Sequence, residues 1–111
     1  MRRGTMSDVQ MSLEILAEKF SDNPKVVEAK WFGKPCLKVD GKAFVVKFGR
    51  DLAFKLTGDA HSEALKIEGA KLFDPRGKGS PFKEWVQVPG AKSDAWPGLT
   101  AQAYEYVNGL T

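Results

Sequence analysis

Between Asn23 and Leu56 the chain is cut at short, regular intervals by turn residues, and this punctuation limits the fold more than any other feature. Asn23-Pro24, Phe32-Gly33-Lys34-Pro35, Asp40-Gly41 and Gly49-Arg50-Asp51 separate apolar-rich runs of four to seven residues. Runs of that length rich in Val, Phe, Ala and Leu read as strands. Connections this tight join antiparallel neighbours, because a parallel crossover needs a dozen residues or more. Val26–Trp31, Cys36–Val39 and Lys42–Phe48 are the first three strands, and a fourth follows the Gly49 turn.

Register follows from the turns. Asp40-Gly41 suits a two-residue type I′ turn, whose central residues both take positive φ. It pairs Leu37 with Phe44, and Lys38 with Ala43. For the next turn, a three-residue loop of Gly49, Arg50 and Asp51 sets Phe48 against Leu52 and Val46 against Phe54. A two-residue loop sets Lys47 against Leu52 and mixes the faces. A slip of one residue turns every side chain over, so the three-residue loop is expected. One face then carries Leu37, Val39, Phe44, Val46, Phe48, Leu52, Phe54 and Leu56. The other carries Cys36, Lys38, Ala43, Val45, Lys47, Ala53 and Lys55.

Helices flank this meander. Residues 1–5 lack apolar periodicity and read as a disordered arm, with a single domain over 6–111. Ser7 and Gln10 form a capping box, and Met6 and Met11 fall at staple positions. Val9, Leu13, Leu16 and Phe20 recur at helical spacing, so a helix is predicted over 7–21. Asp59 is the expected N-cap of a helix reaching Glu68, with Gly69 after it. A short strand at 70–73 leads into the breaker-rich loop 74–81, and Lys83–Val88 is a further strand. Ser93 or Asp94 caps a last helix through Asn108. The class is α+β, with a mostly antiparallel sheet, helices on one face and the order α-β-β-β-β-α-β-β-α.

Absences narrow the chemistry. The chain has one cysteine, Cys36, and one histidine, His61. A disulfide within the chain is impossible, and a structural zinc site lacks ligands. No apolar run reaches the ~20 residues of a membrane span, and no apolar segment follows Arg2-Arg3 to make a signal, so the cytoplasm is the default location. Gly77-Lys78-Gly79-Ser80 lacks the spacing of a phosphate loop and reads as a flexible turn. No catalytic constellation forms, so an enzyme and a cofactor are not expected.

The net charge of +3 is unevenly spread. The helical stretches total −7, the strands and loops +8, and the first five residues +2. A helix entering a DNA groove needs basic residues around it, and these helices are acidic. The charge split directs any anionic partner to the sheet or its loops, without itself implying that one exists. The candidate contacts are Lys38, Lys47 and Lys55 on the outer sheet face, Trp85 on the later strand, and Arg76 and Lys78 in the loop. Lysines with an aromatic ring on an open sheet resemble a single-strand stacking platform. Lysine is equally ordinary on the solvated face of an antiparallel sheet, and that face also suits self-association.

Trp31-Phe32-Gly33-Lys34-Pro35, the strand Cys36–Val39 and Asp40-Gly41-Lys42-Ala43-Phe44 resemble the core of the TfoX N-terminal domain. The same layout is similar to MmcQ/YjbR-like proteins, and Lys83-Glu84-Trp85-Val86-Gln87-Val88 looks like their later Trp-containing strand. The resemblance implies a small α+β domain of the secretion-chaperone-like type. It implies a regulatory or DNA-binding role and supplies no catalytic residues. Full-length TfoX proteins carry a C-terminal helical domain for which this chain has no room. Two function classes stand: a non-enzymatic binding or regulatory domain contacting DNA or an acidic protein, and a homodimerising or protein-interaction domain using the outer sheet face.

Overall fold

Two hairpin turns of the same geometry organise the first half of the chain. Phe32 and Gly33 take φ of 51° and 82°, and Asp40 and Gly41 take 50° and 82°. These are the positive values a type I′ turn requires. The computed structural model describes residues 13–75, 77, 79 and 81–110. The elements are α1 (Leu13–Glu18), β1 (Val26–Trp31), β2 (Lys34–Val39), β3 (Lys42–Phe48), β4 (Asp51–Lys55), α2 (Gly58–Leu65), β5 (Lys71–Phe73), β6 (Phe82–Val88), a 3-10 turn (Gly90–Ala95) and α3 (Trp96–Asn108). The strands form one antiparallel sheet in the order β1-β2-β3-β4-β6-β5. Class and element order are those expected from the sequence.

The register differs from expectation at one place, and the difference propagates. Val39 pairs with Lys42 and Lys38 with Ala43, as the Asp-Gly turn dictates. Leu37 then pairs with Val45, not with Phe44. Phe44 is the extra residue of a β-bulge, where two residues of one strand oppose one of the other. Phe44 and Val45 are consecutive, and both are buried under the helices. Beyond the bulge the alternation is inverted, so Val46 and Phe48 turn to the opposite face. The next turn is the two-residue Gly49-Arg50, which pairs Phe48 with Asp51 and Lys47 with Leu52. The bulge and the shorter turn compensate each other, and Leu52 and Phe54 still face the helices. The expected three-residue loop is therefore replaced by a bulge plus a two-residue loop.

The helices among the described residues all cover one face. α1 lies over β2 and β1, α3 over β3 and β4, and α2 packs on β6 and α3. The core beneath them joins Leu37, Phe44, Phe54 and Val86 of the sheet to Leu16, Leu99, Ala103 and Val107 of the helices. α3 starts at Trp96, later than the expected Ser93 or Asp94 cap, after the 3-10 turn. Pro97 sits in its first turn, where a missing N–H costs no helical bond. Thr100, buried inside α3, donates its hydroxyl to the Trp96 carbonyl at 2.7 Å, and the Trp96 indole donates to the Val88 carbonyl at 3.4 Å. α2 begins at Gly58 with Thr57, not Asp59, at the cap position, and ends at Leu65. The arm and the capping-box residues at 7–10 lie outside the described residues. Gly90 is fixed by close approach, since a Cβ there would stand 2.6 Å from the Arg50 carbonyl oxygen.

The other face, for which the sequence predicts a solvated or self-associating surface, carries a second core. Cys36, Val46, Ala53, Phe73 and Trp85 are buried on it. Ala29, Cys36, Val46, Ala53 and Gln87 are register partners in one row across the strands. Larger rings stand at the rim. Trp31 of β1 stacks on Trp85 of β6, with centroids 5.7 Å apart and planes 21° apart. Three strands separate β1 from β6, which in a flat sheet would hold them roughly 19 Å apart. The sheet is therefore strongly coiled, and this face is concave. Small residues line its floor, and rings from both ends of the sheet meet above them.

Candidate binding site

The structure does not bring the expected cations together. Lys38 is half-buried on the concave face, between Val27 and Ala43 in the register. Lys55 is also half-buried there, opposite Trp85, and pairs with Glu84 at 3.8 Å. Lys47 is on the helix side, opposite Leu52, exposed, and donates to the Gly49 carbonyl at 3.1 Å. The bulge moved it there, so the three lysines do not share a face. Trp85 is buried and offers no open stacking surface. Arg76 and Lys78 lie outside the described residues.

The loop after β5 is organised by Asp74. Its carboxylate accepts from the Gly77 N–H at 3.1 Å and from the Gly79 N–H at 2.9 Å. Backbone N–H groups of a glycine-rich loop are what would cradle a phosphate. Here the Asp74 carboxylate of the chain itself already accepts from both of these N–H groups.

The single cysteine is packed in the concave core, and the single histidine ties a helix to the sheet. Cys36 is buried, and burial pushes its thiol pKa up, against a smaller lowering by Lys38. The thiolate that would act as a nucleophile is thereby disfavoured. His61 Nε2 lies 2.7 Å from the Lys83 carbonyl. A carbonyl only accepts, so Nε2 carries the proton and fastens α2 to β6. Tyr106 donates to Glu84 at 2.7 Å, and that bond raises its pKa, with burial adding to the effect.

The coiling of the sheet creates a site that the sequence reading did not anticipate. It brings the turn between β1 and β2 against the start of the β5–β6 loop. Between them is a pocket of about 290 Å³, lined by Trp31, Phe32, Lys34, Pro75 and Phe82. Trp31 and Phe82 rings are 5.6 Å apart and form its floor. Phe32 stands at its lip, 80% exposed, edge-on to Trp31 at 4.8 Å. The Lys34 ammonium lies 5.6 Å from the centre of the Phe48 ring and is in no ion pair among the described residues. A shallower depression of about 210 Å³ between α2 and α3 is lined largely by Ala60, Ala64, Ile67 and Leu99 and holds no cation.

Phe32 is unusual for its position. The two type I′ turns have nearly identical backbones and differ at their first central residue, which is Asp40 in one and Phe32 in the other. Asp tolerates positive φ because its short side chain bonds locally, whereas a bulky residue pays about 1–2 kcal/mol. The same turn thus spends stability to project an aromatic ring into water. The signal was present in the sequence as a phenylalanine where such a turn prefers Asn, Asp or Gly. The breaker pattern of Phe32-Gly33-Lys34-Pro35 marks the turn but does not say that the ring is left in water.

No family model, characterised protein or solved structure matches the chain. No helix among the described residues is long and apolar enough to cross a membrane.

Proposed function

We propose that this protein is a small non-enzymatic binding domain of the cytoplasm that holds single-stranded nucleic acid at the Trp31–Phe32–Lys34 corner. The observation that carries the reading is Phe32, exposed in a left-handed turn over an aromatic pocket beside the Lys34 ammonium, which is in no ion pair among the described residues. A backbone conformation kept at a cost points to a role outside folding. An exposed ring next to a cation suits one nucleobase and its phosphate, because every base offers a flat face to stack. The excess of positive charge on strands and loops favours the same partner. The resemblance to TfoX N-terminal and YjbR-like domains agrees with a DNA-linked regulatory role. The binding surface differs from the broad lysine platform expected from sequence, since the middle of that face is filled by the protein's own side chains.

The test is a titration of fluorescein-labelled oligothymidine and a duplex of equal length, at low and at moderate salt. Binding of the single strand should exceed that of the duplex and should weaken with salt. Lys34→Glu should weaken binding and reduce the slope of log affinity against log salt by about one. Equal binding of both oligonucleotides, or indifference to Lys34→Glu, would contradict the assignment.

A further inference from the structure

The two edges of the sheet are unlike. β5 is only three residues long, and short edges are one way of blunting a template for strand addition. β1 has six residues and, among the described residues, no strand pairs with its outer side. Its turn fixes which backbone groups face out. Trp31 and Lys34 close the type I′ turn and share its hydrogen bond. Bonding alternates along an antiparallel ladder, so Trp31, Ala29 and Val27 bond to β2. Glu28 and Lys30 direct their N–H and C=O groups outward. Both side chains are exposed, and neither is in an ion pair among the described residues.

A second copy added antiparallel to this edge must set outward-facing residues against each other. Four two-fold registers within β1 place Glu28 or Lys30 in such pairs, and the one centred on Val27 sets Glu28 against the partner's uncharged Val26 and so pairs no charges. Centred on Glu28, the register opposes Glu28 to itself, and centred on Lys30 it opposes Lys30 to itself. Centred on Ala29, it sets Glu28 against the partner's Lys30, twice by symmetry. That register also lays Val27, which is 50% exposed, against the partner's Trp31 on the concave side. Opposite charges at directly paired positions stabilise a sheet, and like charges there destabilise it. We infer that the protein forms a homodimer by antiparallel pairing of β1 with β1 of a second copy, centred on Ala29, joining the two sheets into one. The interface is isologous and closes on itself, so it makes dimers and not filaments.

The competing role for Glu28 and Lys30 is protective, since edge charges also keep strands apart. Sedimentation velocity over a wide concentration range separates the two. The expected result is a species of 12.2 kDa that converts to twice that mass as concentration rises. Glu28→Lys and Lys30→Glu should each weaken the dimer by about tenfold or more, because each opposes like charges twice. The double variant Glu28→Lys with Lys30→Glu should dimerise again, and an equimolar mixture of the two single variants should form a mixed dimer. Both side chains are exposed, and circular dichroism will verify that every variant is folded. A monomer at all concentrations overturns the inference. So does a dimer indifferent to the single reversals, or a failure of the double reversal to restore it.

Discussion

Phe32 and Cys36, four residues apart, illustrate opposite uses of a side chain. Phe32 is held in water at a cost to the fold. Replacing it by Asn, which tolerates positive φ, should raise stability by about 1 kcal/mol in urea denaturation. A loss of stability would mean that the ring contributes more through its contact with Trp31 than its backbone costs. Cys36 is fully buried, and its thiol is pushed above the ordinary value of 9.0. In the unfolded chain the thiol ionises first, so the folded state holds the proton more tightly. The stability this group contributes is intact well below the ordinary thiol range and is lost as pH rises through it. Tyr106 is shifted in the same direction by its bond to Glu84 and acts with the same sign. Urea unfolding between pH 7 and pH 10 should show this alkaline decline, and Cys36→Ala should make it shallower.

At the scale of elements, the bulge in β3 decides which side chains are core. Val45 is fully buried beneath the helices, whereas Lys47 is exposed at their margin. Val45→Ala should cost about 2 kcal/mol, and Lys47→Ala should stay within about 0.5 kcal/mol. Strict alternation would instead put both on one outer face and make both substitutions mild. β1 and β3 were legible to the residue, because turn chemistry bounded them tightly. The register was not legible, because Phe44, Val45 and Val46 are all apolar. A slip there replaces one apolar residue by another, and nothing local marks the inserted residue. The start of α3 differs from the sequence expectation for a related reason. Ser93 and Asp94 are good caps, but Pro97 fits the first turn of a helix beginning at Trp96.

The molecule as a whole is two-cored, and its function reading depends on that. Helices and their acidic residues cover one face, while the concave face is closed by Trp31, Phe73, Phe82 and Trp85. Fold class and charge asymmetry were readable from the sequence. The coiling that brings β1 to β6 was not, because ring contacts between strands so far apart in the sheet depend on accumulated twist. For the same reason the pocket joins residues 31–34 to Pro75 and Phe82, which no local pattern links. The central claim is that the Phe32 corner binds single strands. It is tested most directly by titrating labelled oligothymidine with the natural protein and with Phe32→Asn at one low salt concentration. Stacking on an aromatic ring contributes roughly 1–3 kcal/mol per base. The account predicts a loss of about fivefold to a hundredfold in affinity in a variant that is folded and no less stable. Equal affinity of the two proteins, or no binding by either, would contradict it.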